Sequence, residues 1–251
     1  MSVIKHLASG CRWIRPIVLM LLVGGSAIAD SPGYGDLRRG MIEEIHADVR
    51  ATVTYIEKDA LDKRVLDVMS VIPRHAFVPQ DQKPHAYENR PLPIGHGQTI
   101  SQPYIVALMT DLIRPLPGHR SLEIGTGSGY QAAVLAGLVD TVYTIEIIEP
   151  LGKAAATRFA ALGYPNIVSK IGDGYYGWES QAPFDSIVVT AASSQIPPPL
   201  INQLKPGGRM IIPIGGRFQV QQLMLVEKQQ SGALSTRQLL PVRFVPLTGE
   251  H

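Results

Sequence analysis

The spacing of hydrophobic residues changes several times along the chain, and these changes predict helices first and then alternating strands and helices. Near the N-terminus, apolar residues recur at helical spacing from about residue 41 to residue 56. The apolar positions of this pattern are Ile42, Ile45, Val49, Val53 and Ile56. A second helical pattern covers about residues 60–72 and is stopped by Pro73. We interpret both helices as a packing cap on the main domain.

The next segment, residues 73–103, is rich in proline and histidine and predicts a long irregular loop. Loops of this length in a compact domain are usually functional. The segment leads into a helix whose apolar face contains Ile105, Leu108, Met109, Leu112 and Ile113. Just before that helix, Thr99 or Ser101 could be an N-cap, and Ser101 could also act in catalysis. From spacing alone the cap is the favoured role of Ser101.

From residue 120 onward, short apolar runs alternate with helical patterns, which predicts an α/β fold. The last runs follow one another without helices between them, so the sheet is expected to be mainly parallel with an antiparallel edge. The predicted strands cover residues 121–124, 140–146, 166–171, 184–191, 209–213, 222–228 and 238–247, and a turn is expected at 205–208. The helices between them cover residues 131–139, 151–162 and 197–204.

Between the first of these strands and its helix lies Gly125-Thr-Gly-Ser-Gly129, a loop in which every second residue is glycine. Such a loop can bring backbone N–H groups close to a ligand, although it can also be a simple turn. A dinucleotide loop would have a third glycine at the place that Tyr130 occupies. Glu123 precedes the loop and Glu146 ends the next strand. Acids at these places suit the ammonium and the ribose of S-adenosylmethionine, which is the cofactor we predict.

Asp173 follows another predicted strand and is expected to face the same crevice as Glu123 and Glu146. Its flanking glycines also allow the simpler role of a turn residue. The formal charge of +2, from 23 basic and 21 acidic residues, does not indicate a nucleic-acid partner. One cysteine and seven scattered histidines do not form a recognisable metal motif, so no metal is predicted.

Residues 1–29 resemble a signal-peptide leader, with basic residues before an apolar run and an Ala27-Ile28-Ala29 cleavage site after it. The apolar run is too short for a stable membrane span. A loose linker is expected at 30–40 and a folded domain at 41–251. The leader predicts export. However, S-adenosylmethionine is made in the cytosol, and a translation start at Met41 would leave a cytosolic protein, which is the compartment we favour slightly.

Several strings together resemble the protein-L-isoaspartate O-methyltransferase family over about residues 41–248. The most specific of them is GQTISQPY at 97–104, and the others include VIPRHAFVP (71–79), LEIGTGSGYQAAVLA (122–136), GDGYYGW (172–178) and RFVPLT (243–248). The resemblance implies a Rossmann-like, S-adenosylmethionine-dependent methyltransferase fold. It divides the domain into N-terminal helices with a substrate loop (41–103) and a core (104–251). It also implies methylation of L-isoaspartyl residues in damaged proteins and peptides, which leads to their repair.

The resemblance also assigns roles to single residues, and it places Ser101 in the active site rather than only at a helix cap. Glu146 is expected to bind the ribose, and Asp173 with Gly174 to flank the adenine. The remaining cofactor-binding residues implied are Ile94, Gly95, Gly97, Glu123, Gly125, Gly127, Ser128, Gly129 and Thr248. Because a carboxylate substrate needs no general base, Thr99 and Ser101 are expected to position it by hydrogen bonds.

We expect a monomer, without nucleic acid and without stable membrane insertion. Two alternatives share the same fold. The chain could methylate a small molecule, against which GQTISQPY argues, or it could be an exported binding protein without turnover, against which the acids and Ser101 argue. Tyr104 stands where some relatives have histidine, so cofactor contacts from that position are not carried over.

Overall fold

The computed structural model describes residues 33–216 and 220–249, so the predicted leader lies outside the described residues. The N-terminal part is helical, with α1 (Tyr34–Ala51), α2 (Val53–Ile56) and α3 (Lys63–Val71). Among the helices of these described ranges, none has both the length and the apolar character needed to cross a membrane.

The first helix begins at Tyr34, so the predicted start near Met41 was wrong and residues 34–40 are helix rather than linker. The Tyr34 ring stacks on the His75 ring at 3.8 Å, a tertiary contact that the local pattern could not reveal. The helix also ends earlier than predicted. The Thr52 hydroxyl donates to the Asp48 carbonyl at 2.8 Å, the chain leaves the helix there, and Val53 becomes 39% exposed instead of buried.

The segment 73–103 is more ordered than the predicted irregular loop. It contains two short 3-10 helices, Arg74–Phe77 and Gln80–His85, followed by strands β1 (Leu92–Gly95) and β2 (Gln98–Ile100). These strands pair antiparallel in a small hairpin whose turn includes His96 at a positive φ of 53°. Helix α4 (Pro103–Leu112) follows, and all of its residues are buried.

The core of the molecule is a seven-stranded sheet, confirming the predicted α/β architecture. Its strands are β3 (Arg120–Ile124), β4 (Thr141–Glu146), β5 (Ile167–Ile171), β6 (Phe184–Val189), β7 (Leu204–Ile214), β8 (Gln221–Lys228) and β9 (Leu234–Val242). Helices α5 (Tyr130–Ala136), α6 (Glu149–Leu162) and α7 (Pro198–Gln203) connect the parallel strands. The strand order is β5-β4-β3-β6-β7-β8-β9.

The direction of the strands also agrees with the prediction, because β3 to β7 are parallel and β8 and β9 are antiparallel at one edge. Two elements differ most from the predicted boundaries, while β6 and α5 end two and three residues earlier than predicted. Strand β7 already begins at Leu204, so the turn predicted at 205–208 lies within it. Strand β9 covers Leu234–Val242, because Arg243 to Thr248 leave the sheet edge and instead cross the end of β6, where the Ala192 amide donates to the Val245 carbonyl at 2.8 Å.

Strand β3 positions the functional site because the chain order reverses on its two sides. It pairs with β4 on one side and with β6 on the other, although β6 comes much later in the sequence. In an open parallel sheet, a crevice forms at such a reversal, beyond the carboxyl ends of the strands. The residues at these ends are the glycine loop after β3, Glu146 at the end of β4, and Thr190 after β6.

Candidate active site

The loop after β3 takes a backbone conformation that requires glycine. Gly125, Gly127 and Gly129 have φ values of +93°, +51° and +86°, a region that side chains disfavour. A Cβ at Gly125 would lie 2.5 Å from the Thr190 hydroxyl oxygen, and one at Gly129 would lie 2.6 Å from the Phe159 ring. The side of the loop next to Thr190 and Phe159 is therefore closely packed, and the opposite side faces the crevice.

Glu146 fixes the shape of this loop from the next strand. One carboxylate oxygen accepts a hydrogen bond from the Gly127 N–H at 2.7 Å, and the other accepts from the Ile148 N–H at 2.9 Å. The residue is only 5% exposed, and that exposed part lines the crevice. Hydrogen bonds from backbone N–H groups to a carboxylate are strong ones, so Glu146 holds the glycine loop against β4.

Glu123 is buried directly below the loop, and only half of its carboxyl group has a partner. Its Oε2 accepts a hydrogen bond from the Thr144 hydroxyl at 2.5 Å, whereas Oε1 has no hydrogen-bond partner among the described residues. Burial raises the pKa of Glu123 to about 8, with a further contribution from the charge of Glu146, while the Thr144 bond acts in the opposite direction. A carboxylate with an unpaired buried oxygen is suited to binding a cationic group.

Three adjoining cavities occupy the crevice. The loop cavity is lined by the crevice-facing side of the glycine loop together with Glu146, Gly174 and Thr248. The acid cavity contains Glu123, Ser128 and Ser101. The outer cavity, of about 560 Å³, extends between α1, α4 and the 240–245 segment, and Ser101 lines it as well. Thr99 lies on all three cavities, so the β2 segment separates the two inner cavities from the outer one.

Thr190 is a residue at the centre of the site that the sequence analysis missed. It lines all three cavities, and its hydroxyl donates to the carbonyls of Ile124 at 2.9 Å and Gly125 at 2.7 Å. It thereby ties the end of β6 to the start of the glycine loop. Thr190 could have been predicted from its position just after the strand that pairs with β3, because ligands bind where the strand order reverses.

Comparison with known proteins identifies the family. Residues 50–251 match the family described as Protein-L-isoaspartate(D-aspartate) O-methyltransferase.

This chain belongs to that family.

Among similar members, Protein-L-isoaspartate O-methyltransferase 2 of Polaromonas sp. (strain JS666) is 68% identical over 211 residues, covering 84% of this chain and 100% of the relative. Protein-L-isoaspartate O-methyltransferase 1 of Cupriavidus necator is 64% identical over 246 residues, covering 97% and 95%.

Solved structures agree with the family assignment. A protein-L-isoaspartate O-methyltransferase superposes with a TM-score of 0.71 at 28% identity, covering 83% of this chain and 66% of that chain. A Plasmodium falciparum protein, described as a putative member of the family in complex with S-adenosyl-L-homocysteine, gives 0.69 at 24% identity, covering 85% and 97%. The second likeness concerns the fold alone.

Within this family fold, the residues expected to bind the cofactor do not all reach the crevice. Gly95 and Gly97 belong to the β1–β2 hairpin and line none of the three cavities, while the Ile94 side chain packs over Gly127. The Asp173 carboxylate accepts a hydrogen bond from the Tyr175 N–H at 2.9 Å. This bond caps the 3-10 helix Gly174–Tyr176, so Asp173 acts as a turn residue here. The role of Asp173 beside the adenine stays a prediction.

The predicted N-cap role of Thr99 or Ser101 was wrong. The N-cap residue of α4 is Gln102, which makes no side-chain capping bond. Instead, the Asn89 side chain accepts a hydrogen bond from the Tyr104 N–H at 3.0 Å. A distant residue thus caps the helix, and Ser101 lines the acid and outer cavities.

Proposed function

We propose that this chain transfers a methyl group from S-adenosylmethionine to the α-carboxylate of L-isoaspartyl residues in damaged proteins. The ester that forms can close to a succinimide with loss of methanol, and hydrolysis of the succinimide gives ordinary aspartate in part, so the net effect is repair. Membership of the family supports this function. The observation that carries it is the position of Thr99, which lines all three cavities, and of Ser101, which lines the acid and outer cavities.

The residues of the two inner cavities fit the proposed cofactor. In the glycine loop, the N–H groups of Gly125, Thr126, Gly127 and Gly129 already donate to protein acceptors. The Ser128 N–H is therefore the loop donor that can bind a carboxylate, and the unpaired Oε1 of Glu123 can accept an ammonium. Glu146, Gly174 and Thr248 line the other end of the loop cavity, where the ribose and adenine would lie. The sulfonium of S-adenosylmethionine, when bound, supplies an electrophilic methyl group.

The main task of the protein is to position the substrate carboxylate, because this group is already ionised near neutral pH and needs no general base. We propose that the hydroxyls of Thr99 and Ser101 donate hydrogen bonds to the substrate carboxylate and orient one oxygen for attack. Correct orientation of two reactants can supply roughly 7–11 kcal/mol of barrier reduction.

The outer cavity suits a flexible peptide segment rather than a rigid folded surface. Its volume of about 560 Å³ is sufficient for a few residues, and Asp48, Thr52 and Tyr104 line one side of it. The opposite side is formed by residues 240–245, which include the end of β9. We expect recognition mainly through the backbone and carboxylate of the substrate, and therefore a broad tolerance of neighbouring residues.

The test uses two peptides that differ only in an aspartyl or isoaspartyl linkage, together with a methyl-labelled cofactor. Label on the isoaspartyl peptide alone, released by mild base as an ester would be, is the expected result. Label on neither peptide despite measurable cofactor binding would refute the assignment and favour a small-molecule substrate or a non-catalytic protein.

Ser101→Ala tests the positioning role within the same assay. We expect a fall in kcat of roughly tenfold to a hundredfold, because one hydrogen bond to a charged group is lost, with cofactor affinity unchanged. Ser70→Ala is the matched control, since Ser70 is exposed and lies outside the site. A methylated or acylated Ser101 trapped during turnover would contradict the proposal that this hydroxyl only donates a hydrogen bond.

We also propose that the enzyme works as a monomer in the cytosol, without nucleic acid. The supply of S-adenosylmethionine supports this compartment. A start at Met41 is less well supported, because it would remove the first turns of α1 and the stacking of Tyr34 on His75. Light scattering tests the oligomeric state, and N-terminal sequencing of protein from separated cell compartments tests the start site and location.

A further inference from the structure

Arg74 is a fully buried cation that the proposed chemistry does not use. Its Nε donates to the Ala86 carbonyl at 2.8 Å, and its Nη2 donates to the Ser101 carbonyl at 2.7 Å. The guanidinium carbon lies 4.7 Å from the centre of the Tyr130 ring, which follows directly on the glycine loop. Burial lowers the pKa of Arg74 to about 10, so the group remains charged at neutral pH. Its Nη1 has no hydrogen-bond partner among the described residues, whereas the contacts of Nη2 and of the guanidinium face with Ser101 and Tyr130 join the two sides of the crevice.

Arg158, on α6, makes the same kinds of contact as Arg74, on the side of the crevice formed by the glycine loop. Its Nε donates to the Ala76 carbonyl at 2.8 Å, and its Nη1 donates to the Ser128 carbonyl in the glycine loop at 2.7 Å. The guanidinium carbon lies 5.8 Å from the centre of the Phe77 ring. Arg158 therefore joins the glycine loop to the short helix Arg74–Phe77, which itself carries Arg74.

The two arginines complete a continuous series of hydrogen bonds that connects the two sides of the crevice. It runs from the Ser101 carbonyl through Arg74 to the short helix Arg74–Phe77, and from there through Arg158 to the Ser128 carbonyl. The Phe77 and Tyr130 rings pack edge to face at 5.5 Å alongside it. The acid cavity, with Glu123 below it, lies between Ser101 and Ser128.

We propose that Arg74 and Arg158 are positioning residues, which act through the short helix Arg74–Phe77 to fix the distance between the substrate loop at Ser101 and the cofactor loop at Ser128. This inference rests on the proposed function. Each loop is held in its own shape by other bonds, such as that of Gly127 to Glu146. The arginines set the relative place of the loops, and a displacement of about 1 Å between reacting groups can lower a rate a hundredfold.

We expect substitution of these arginines to lower kcat without lowering the affinity for S-adenosylmethionine to the same extent. Arg158 is the safer residue to change, because it is partly exposed whereas Arg74 is fully buried. We expect Arg158→Met to lower kcat with the isoaspartyl peptide by roughly 10-fold to 100-fold, and Arg158→Lys by less. Affinity for S-adenosylmethionine should stay within about threefold of wild type, since the loop keeps its own bonds. All rates are counted per cofactor-binding site, so unfolded protein does not contribute.

Arg120→Met is the matched control. Arg120 is also partly exposed, donates to the Gln181 carbonyl at 2.7 Å, and lies 5.1 Å from the centre of the Tyr143 ring. It sits at the start of β3, away from the crevice, so its loss removes the same kinds of contact without touching either loop. We expect its kcat to remain near that of wild type.

A double variant tests whether the two arginines act through one path. If they do, Arg74→Met combined with Arg158→Met should lower kcat no further than Arg74→Met alone, because the loss of Arg74 already removes the links from Ser101 to both the short helix and the Tyr130 ring. The inference is overturned if the Arg158→Met kcat stays near wild type, if cofactor affinity falls as much as kcat, or if Arg120→Met is equally impaired. Multiplying effects in the double variant would also overturn it. Wild-type protein that fails to methylate the isoaspartyl peptide would overturn the proposed function and this inference together.

Discussion

Glu123 should make cofactor binding depend on pH. In the free protein its pKa is raised to about 8, chiefly by burial, so most molecules hold a proton on this carboxyl at neutral pH. A cationic ligand group at Oε1 prefers the ionised form. Binding therefore has to release the proton, and the affinity for S-adenosylmethionine should increase as the pH rises towards the pKa of Glu123.

The size of this effect follows from the ionised fraction of Glu123. With a pKa of about 8, about 1% of the carboxyl groups are ionised at about pH 6, about 9% at about pH 7 and about half at about pH 8. The apparent Kd should therefore fall about ninefold over the first of these steps and about fivefold over the second, and then level off.

The same shift predicts how stability depends on pH when no cofactor is present. The folded protein holds a proton on Glu123 that the unfolded chain releases above its ordinary pKa of 4.5. From there to about pH 8, this residue should lower the free energy of unfolding by about 1.4 kcal/mol for each pH unit. The Glu123→Gln variant is neutral throughout and should not show this contribution.

Calorimetric titration of wild type and Glu123→Gln with S-adenosylmethionine across this pH range is the assay. Titration of the ligand's own groups affects both proteins equally, so the ratio of the two Kd values isolates Glu123. We expect the ratio to change about fiftyfold between about pH 6 and pH 8. A ratio that stays constant would refute the reasoning, because it would mean that Glu123 does not meet a cationic part of the ligand.

Three further changes test the loop around this acid. Gly129→Ala should lower the free energy of unfolding by roughly 2–4 kcal/mol, because the new Cβ would meet the Phe159 ring at 2.6 Å on a backbone with positive φ. Thr190→Val should lower it by about 1–3 kcal/mol, since the hydroxyl that donates to the Gly125 carbonyl at 2.7 Å is lost. Glu146→Gln should weaken cofactor binding by roughly tenfold or more, as its oxygens accept from two backbone N–H groups.

Urea unfolding measures the first two effects and calorimetry the third. Gly118→Ala is the control for the glycine change, because Gly118 has no positive φ and nothing lies within 4 Å of its added Cβ. Thr190→Ser keeps the donor and should retain most of the stability. Unfolding midpoints that match wild type for Gly129→Ala and Thr190→Val, or an unchanged Kd for Glu146→Gln, would contradict these expectations.

The sequence predicts the sheet well because its central strands are buried on both faces and mostly apolar. Buried parallel strands give continuous apolar runs, and the glycines and prolines between them mark the turns. Boundaries set by tertiary contacts were not predictable in this way. The start of α1 at Tyr34 depends on stacking against His75, and the early end of β9 depends on bonding of the chain near Val245 to Ala192.

In the site, too, features set by the local sequence were predictable, whereas features set by contacts with distant residues were not. The glycine loop and its acids were predictable, because a strand followed by glycines places them at one edge of the sheet. The cap of α4 was not, since the bond comes from Asn89, fifteen residues before Tyr104 in the sequence. Thr190 was missed because threonine after a strand has no distinctive pattern, and only the pairing of β6 with β3 brings it to the glycine loop.

The reversal of strand order at β3 also bears on how the protein folds. The Thr190 hydroxyl bonds to Gly125 across 65 positions of sequence, and strands β4 and β5 lie between them. Contacts this distant are slow to form, because the intervening chain must lose much of its freedom first. A chain that has assembled only β3, β4 and β5 would already contain the glycine loop and Glu146, yet it would lack Thr190. Cofactor binding should therefore appear late in refolding, together with the pairing of β3 and β6.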